Sequence, residues 1–164
     1  MSTEHQHAVS NAQAEMFVGE NYPYYQAKWQ KSADNNNNPM SWNWAAFFLG
    51  VVWLVYRKMY NYALIFAGFI VLDMIIESFF PLPAAAGNMV NLMIALAFGF
   101  YGNFLYKLHM ANKVNDIVAT YPPDQVEAEL RAQGGVNAPA AWGLGISLLL
   151  LVMLRVWMVL NAQG

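Results

Sequence analysis

The sequence predicts an all-α fold: a helical integral membrane protein with three transmembrane helices plus one short re-entrant or half-buried hydrophobic helix. Composition is the first reason. Hydrophobic residues make up 58% of the 164 and charged residues only 11%, against about 25% charged in a typical soluble domain. So little charge cannot coat a soluble surface of this size, and a bilayer supplies a solvent for the apolar excess. The second reason is segmentation. Three apolar stretches reach the roughly 20 residues that a hydrocarbon core of about 30 Å requires, and a fourth, earlier stretch falls short.

The polar tail comes first (1–40). "MSTEHQHAVSNAQAE" has neither a basic start nor an apolar run, so it does not read as a signal peptide. In "NYPYYQAKWQK", Asn21 is placed to cap a short helix and Pro23 suits its first turn. Tyr22, Tyr25 and Trp29 share one face, flanked by Lys28 and Lys31. Such a stripe suits either a headgroup layer or packing on the chain's own helices. "SADNNNNP" is a polar, breaker-rich linker.

The short aromatic helix occupies 41–58. Trp44 to Val55 is uniformly apolar, and even Trp42 to Tyr56 spans only about 22 Å as a helix. With no polar face it must be covered all round. A re-entrant or half-buried helix is favoured over a distorted full span, because a full span would place Lys28 and Lys31 outside. Ser41 is the expected N-cap, and Gly50 the expected site of a bend or close helix contact. Trp29, Trp42, Trp44, Trp53, Tyr56, Arg57 and Lys58 are expected as anchors at the membrane interface.

A two-helix transmembrane hairpin follows (59–106). Met59 to Phe80 and Met89 to Tyr106 form the spans, joined by the uncharged turn "PLPAAAGN". Gly99 and Gly102, with Asn103, would admit a closely packed helix. Residues 107–137 form a charged loop: a continuation of the preceding helix, a break at Pro122-Pro123, and a short helix ended by Gly134-Gly135. The last span, Ala138 to Leu160, is interrupted only by Arg155 (138–164 with its tail). Arg57, Lys58, Lys107, Lys113 and Arg131 fall where the positive-inside rule makes the 57–58 junction and the 107–137 loop cytoplasmic, with the C-terminus periplasmic.

The stretch "NWAAFFLGVVWLVYRKMY" resembles the signature of a bacterial family known as domain of unknown function 2628. "FVGENYPYYQAKW", "GNFLYKLHMANKV" and "LRAQGG" are also similar to its pattern, so the resemblance covers roughly Phe17 to Gly135. It implies a multi-pass protein of the bacterial inner (cytoplasmic) membrane. It implies no catalytic residue.

Chemistry-bearing residues are few. Asp73 and Glu77, four apart, share a helix face, and at 1.5 Å per residue they lie about 21 and 27 Å above Met59. Arg155 lies about 22 Å above Ala140. A structural Asp73–Arg155 bridge is the favoured expectation, with Asn88 and Asn91 as polar support. A proton- or ion-handling site and an intermolecular pair are the alternatives. His5 and His7 form an isolated His-x-His, and His109 reads as an interfacial side chain. Without cysteine there is no disulfide and no cysteine-bearing metal centre. No cofactor or metal is expected, and a net charge of −2 gives no reason to expect nucleic acid. The bilayer is the expected environment, with a membrane or cytoplasmic protein, or a second copy, as partner. The favoured function is a non-enzymatic interaction or assembly component. The alternative is a small transporter or channel component using Asp73, Glu77 and Arg155.

Overall fold

The computed structural model describes residues 9–35, 38, 40–80 and 83–162, and among these all regular structure is helical. Helix α1 (Asn11–Val18) begins at a capping box: the Ser10 hydroxyl accepts from the Gln13 backbone N–H, and the Gln13 side chain accepts from that of Ser10. A 3₁₀ turn (Gly19–Asn21) leads into α2 (Tyr22–Asp34). Asn21 makes no side-chain cap there, although Pro23 does occupy the first turn. Two short helices follow, α3 (Trp44–Leu49) and α4 (Val51–Tyr56). Then come α5 (Tyr60–Phe79), α6 (Ala84–Thr120), α7 (Pro123–Gln133) and α8 (Ala138–Ala162).

Helices α5, α6 and α8 are each long and apolar enough to cross a membrane. At 37 residues, α6 is about 55 Å long. It therefore has two halves with different surroundings. Its second half, from Asn103 to Ile117, is the spine of the core: Asn103, Tyr106, Met110, Val114 and Ile117 are all buried. Helix α1 packs there through Phe17 and Val18, α2 through Tyr25 and Trp29, and α7 through Leu130. The stripe Tyr22, Tyr25, Trp29 thus lies against the chain's own helices. The apolar windows of α5 and α8, by contrast, are only 6% and 0% buried within the chain.

The docking of α7 depends on Gly134 and Gly135. The Gly135 N–H donates to the Phe17 carbonyl at 2.6 Å, and a Cβ at Gly134 would collide with that same carbonyl. Gly135 also has φ +70°, a conformation glycine adopts at little cost. A break at Pro122-Pro123 and a stop at Gly134 close the loop expected from the sequence, with Pro122 preceding α7.

Residues 41–58 are not one continuous helix. Gly50 has φ +44°, ψ −112°, and there the apolar run bends into α3 and α4. The two ends of the bent segment rest on different stretches of α6 and its neighbours. At its start, the Ser41 N–H donates to Phe100 O and the Asn43 N–H to Gly99 O. At its end, Trp53 packs on Tyr106, and Lys58 Nζ donates to the Ala132 carbonyl. The chain thus enters beside α6 residues 99–100 and leaves further along that helix, where Lys58 shares a groove with His109, Lys113 and Asp116. This is a half-buried hairpin, covered by α6, α5 and α8.

Candidate functional site

The site is built where α3 crosses α6. A Cβ at Gly102 would stand 2.8 Å from the Ala46 Cβ, and one at Gly99 2.9 Å from the Trp42 ring. Only glycine permits that approach, and it brings two fully buried asparagines together. Asn43, not Ser41, caps α3: its Oδ1 accepts from the Ala46 N–H at 2.9 Å. Its Nδ2 donates to Asn103 Oδ1, also at 2.9 Å. Asn103 Nδ2 in turn donates to the Ser41 hydroxyl and carbonyl, and the Trp29 indole donates to the Asn103 carbonyl. The amide oxygens and nitrogens of both asparagines each have a partner, as burial demands. It pins α2, α3 and α6 at a single point.

One helical turn along α6, an aromatic cage surrounds Arg57. The α4 C-terminus turns sharply, with Lys58 at φ +57° and Met59 N–H donating to Leu54 O, and this throws Arg57 inward. Its guanidinium carbon lies 4.6 Å from the Tyr25 ring centre, 5.1 Å from Tyr106 and 5.3 Å from Tyr56. The residue is 5% exposed, and its Nε and Nη1 have no hydrogen-bond partner. Burial pushes the Tyr25 phenol up, while the nearby Arg57 charge pulls the other way. Tyr25 therefore stays neutral, and the cation meets π faces with no counter-ion among the described residues.

From Arg57 a cleft of about 420 Å³ opens between α2 and the α3–α4 hairpin, lined chiefly by Tyr24, Trp44, Leu49, Val52, Trp53 and Tyr56. One turn beyond Tyr106 on α6, His109 is buried among Phe17, Tyr62 and Tyr106. It lies three residues beyond the apolar stretch that ends at Tyr106. Burial, with a smaller contribution from Lys113, holds its pKa down at about 4.

These positions revise the sequence-based expectations. Trp29, Trp53 and Arg57 belong to the core rather than to a membrane interface, because α2 and α6 cover them. His109 is likewise buried, not interfacial. Trp44 is largely exposed, while Trp42, Tyr56 and Lys58 are partly covered. Asp73, Glu77, Asn88, Asn91 and Arg155 are all exposed, and no side-chain hydrogen bond or ion pair joins them. The Asp73–Arg155 bridge is therefore not formed within the chain. Among the described residues the one ion pair is Glu127–Arg131, at 3.0 Å on the surface of α7. No three His, Asp or Glu side chains among these residues converge as metal ligands, and His5 and His7 lie outside them.

The residues of the hub and cage fall within one family match. The family described as "Protein of unknown function (DUF2628)" matches residues 10–111. The chain belongs to this family. No curated protein and no solved structure matches it. The DUF2628 match includes α1 to α5 and α6 as far as Ala111, and so contains Asn43, Arg57, Asn103 and Tyr106. It stops short of α7, so "LRAQGG" lies beyond it, as does α8.

Asn43 was legible in the sequence as the residue immediately before the apolar run, a better cap position than Ser41. Asn103 was visible only as a polar residue among apolar ones. Nothing in the spacing connects either with the other, or Arg57 with Tyr25 and Tyr106.

Proposed function

We propose that this chain is a non-enzymatic assembly component of a bacterial inner membrane, whose α5 and α8 pair with the same helices of a second copy. The observation that carries the reading is a matched set of unpaired charges. Glu77 and Arg155 each lie 17 residues past the first residue of their helix, Tyr60 and Ala138. The two helices start level, since Asn137 Nδ2 donates to the Tyr60 hydroxyl and the Asn137 N–H to Tyr56 O. Acid and base therefore stand at one height, about 26 Å along, with Asp73 one turn lower on the acidic face.

Lipid tails can cover the apolar surface of these helices, but they cannot neutralise charges. An intramembrane charge costs up to about 2.5–3.5 kcal/mol on insertion scales, and less towards the headgroups. Pairing Arg155 of one copy with Glu77 and Asp73 of another offsets that cost. The basic residues Lys28, Lys31, Lys58, Lys107, Lys113 and Arg131 belong to the helical base and its linkers, and by the positive-inside rule they support a cytoplasmic base. The transporter alternative uses the same charges, but it needs them to line a shared path, whereas Asp73, Glu77 and Arg155 are all exposed within one chain.

A chain with no cysteine makes the test clean. A Glu77→Cys chain and an Arg155→Cys chain, co-expressed and oxidised in native membranes, should give a disulfide-linked dimer that neither gives alone. Monomers throughout, together with a monomeric mass in mild detergent, would refute the pairing.

A further inference from the structure

We infer that the cleft at Arg57 is a binding site for an anionic amphiphile, specifically the phosphodiester headgroup of an anionic phospholipid with part of an acyl chain. Arginine is always charged at physiological pH, and its five N–H donors lie in the plane of the guanidinium. The tyrosine rings of Tyr25, Tyr106 and Tyr56 approach this group at 4.6 to 5.3 Å. Ring faces stabilise the charge but accept little at the N–H edge. Nε and Nη1 are buried without an acceptor among the described residues, while Arg57 also lines the cleft. A buried donor left in this state costs free energy, and a turn of the guanidinium toward the cleft lets a phosphate recover it through two parallel hydrogen bonds. The hydroxyl of Tyr106, buried against the same guanidinium, is also unpaired.

The rest of the cleft sets the ligand's second half. Its volume is about 420 Å³, and Arg57 is the one charged residue lining it. Trp44, Leu49, Val52 and Trp53 make the wall apolar. Trp44 and Leu49 are exposed at its mouth, so the cleft opens along α3 rather than into a closed core. An isolated phosphate would leave that wall wet, whereas a phospholipid fills both parts. The inference is independent of any pairing between α5 and α8.

The full-length protein, extracted from membranes in mild detergent, is examined by native mass spectrometry for phospholipid it retains. Phosphatidylglycerol should be retained in preference to phosphatidylcholine. Arg57→Gln should lower its occupancy about tenfold, the loss expected for a charge-assisted pair. Because Arg57 is buried, Ala45→Trp provides a second route: this exposed cleft residue can block the mouth while leaving the cage intact, and should lower occupancy similarly. Equal retention by the wild type and Ala45→Trp, or equal retention of the two lipids, overturns the inference. Inorganic phosphate added alone should leave the lipid count unchanged. Displacement by it would show that the site takes the free anion, and would overturn the lipid assignment.

Discussion

Asn103 illustrates how one side chain can hold three segments. It is fully buried, receives Asn43 Nδ2, and donates to Ser41. Asn103→Leu would keep the volume but orphan the Asn43 amide and the Ser41 carbonyl. A loss of about 1–3 kcal/mol for each orphaned group is expected, read as a lowered unfolding midpoint in detergent. Little change would show that water or relaxation satisfies them. His109 provides a pH-dependent counterpart. Its folded pKa of about 4 lies below the usual 6.5, so the unfolded chain binds the proton more readily. Stability is full above about pH 6.5 and falls as the pH drops towards 4. Lys113 on α6, with Lys58 and Asp116 in the same surface groove, adds no counter-charge close enough to reverse this sign. His109→Phe should flatten the slope of melting temperature between neutral pH and about pH 5; an unchanged slope would assign it to the carboxylates.

Among the elements, α3 and α4 differ most from what their sequence suggests. Uniform apolarity from Trp44 to Val55 reads as one short helix with Gly50 as the place for a bend or a close contact, and hydropathy does not choose between the two. The bend comes from the backbone of Gly50, whose φ of +44° is poorly accessible to other residues. Nothing lies within 4 Å of a Cβ placed there. Gly50→Ala therefore tests conformation alone and should cost about 1–3 kcal/mol. Gly102→Ala tests space alone, through the 2.8 Å approach to Ala46. If Gly50→Ala melts with the wild type, the turn is not what holds the hairpin.

On the scale of the molecule, a packed base of α1, α2, α4, α7 and the second half of α6 carries three long apolar helices with little packing of their own. The base decides which side the early residues occupy. Gln30 lines the same surface groove as Lys107 and Asn115, so both belong on one side of any membrane these helices cross. Single cysteines at Gln30 and Asn115 should show the same accessibility to an impermeant thiol reagent on intact spheroplasts, and both should be protected. Labelling of Gln30→Cys alone would require the hairpin to be rebuilt as a span.

The sequence by itself determined the helical class, the three long apolar helices and the family, together with the breaks at Pro122 and Gly134. Those depend on length, composition and local backbone preference, which are one-dimensional properties. It did not determine that Arg57 turns inward to Tyr25 and Tyr106, or that Asn43 meets Asn103. It pointed to a bridge between Asp73 and Arg155, which instead stay apart. Those outcomes rest on residues far apart in the chain brought together, or held apart, by packing. Only the tertiary structure, through the glycine-permitted crossing of α3 over α6, decided them.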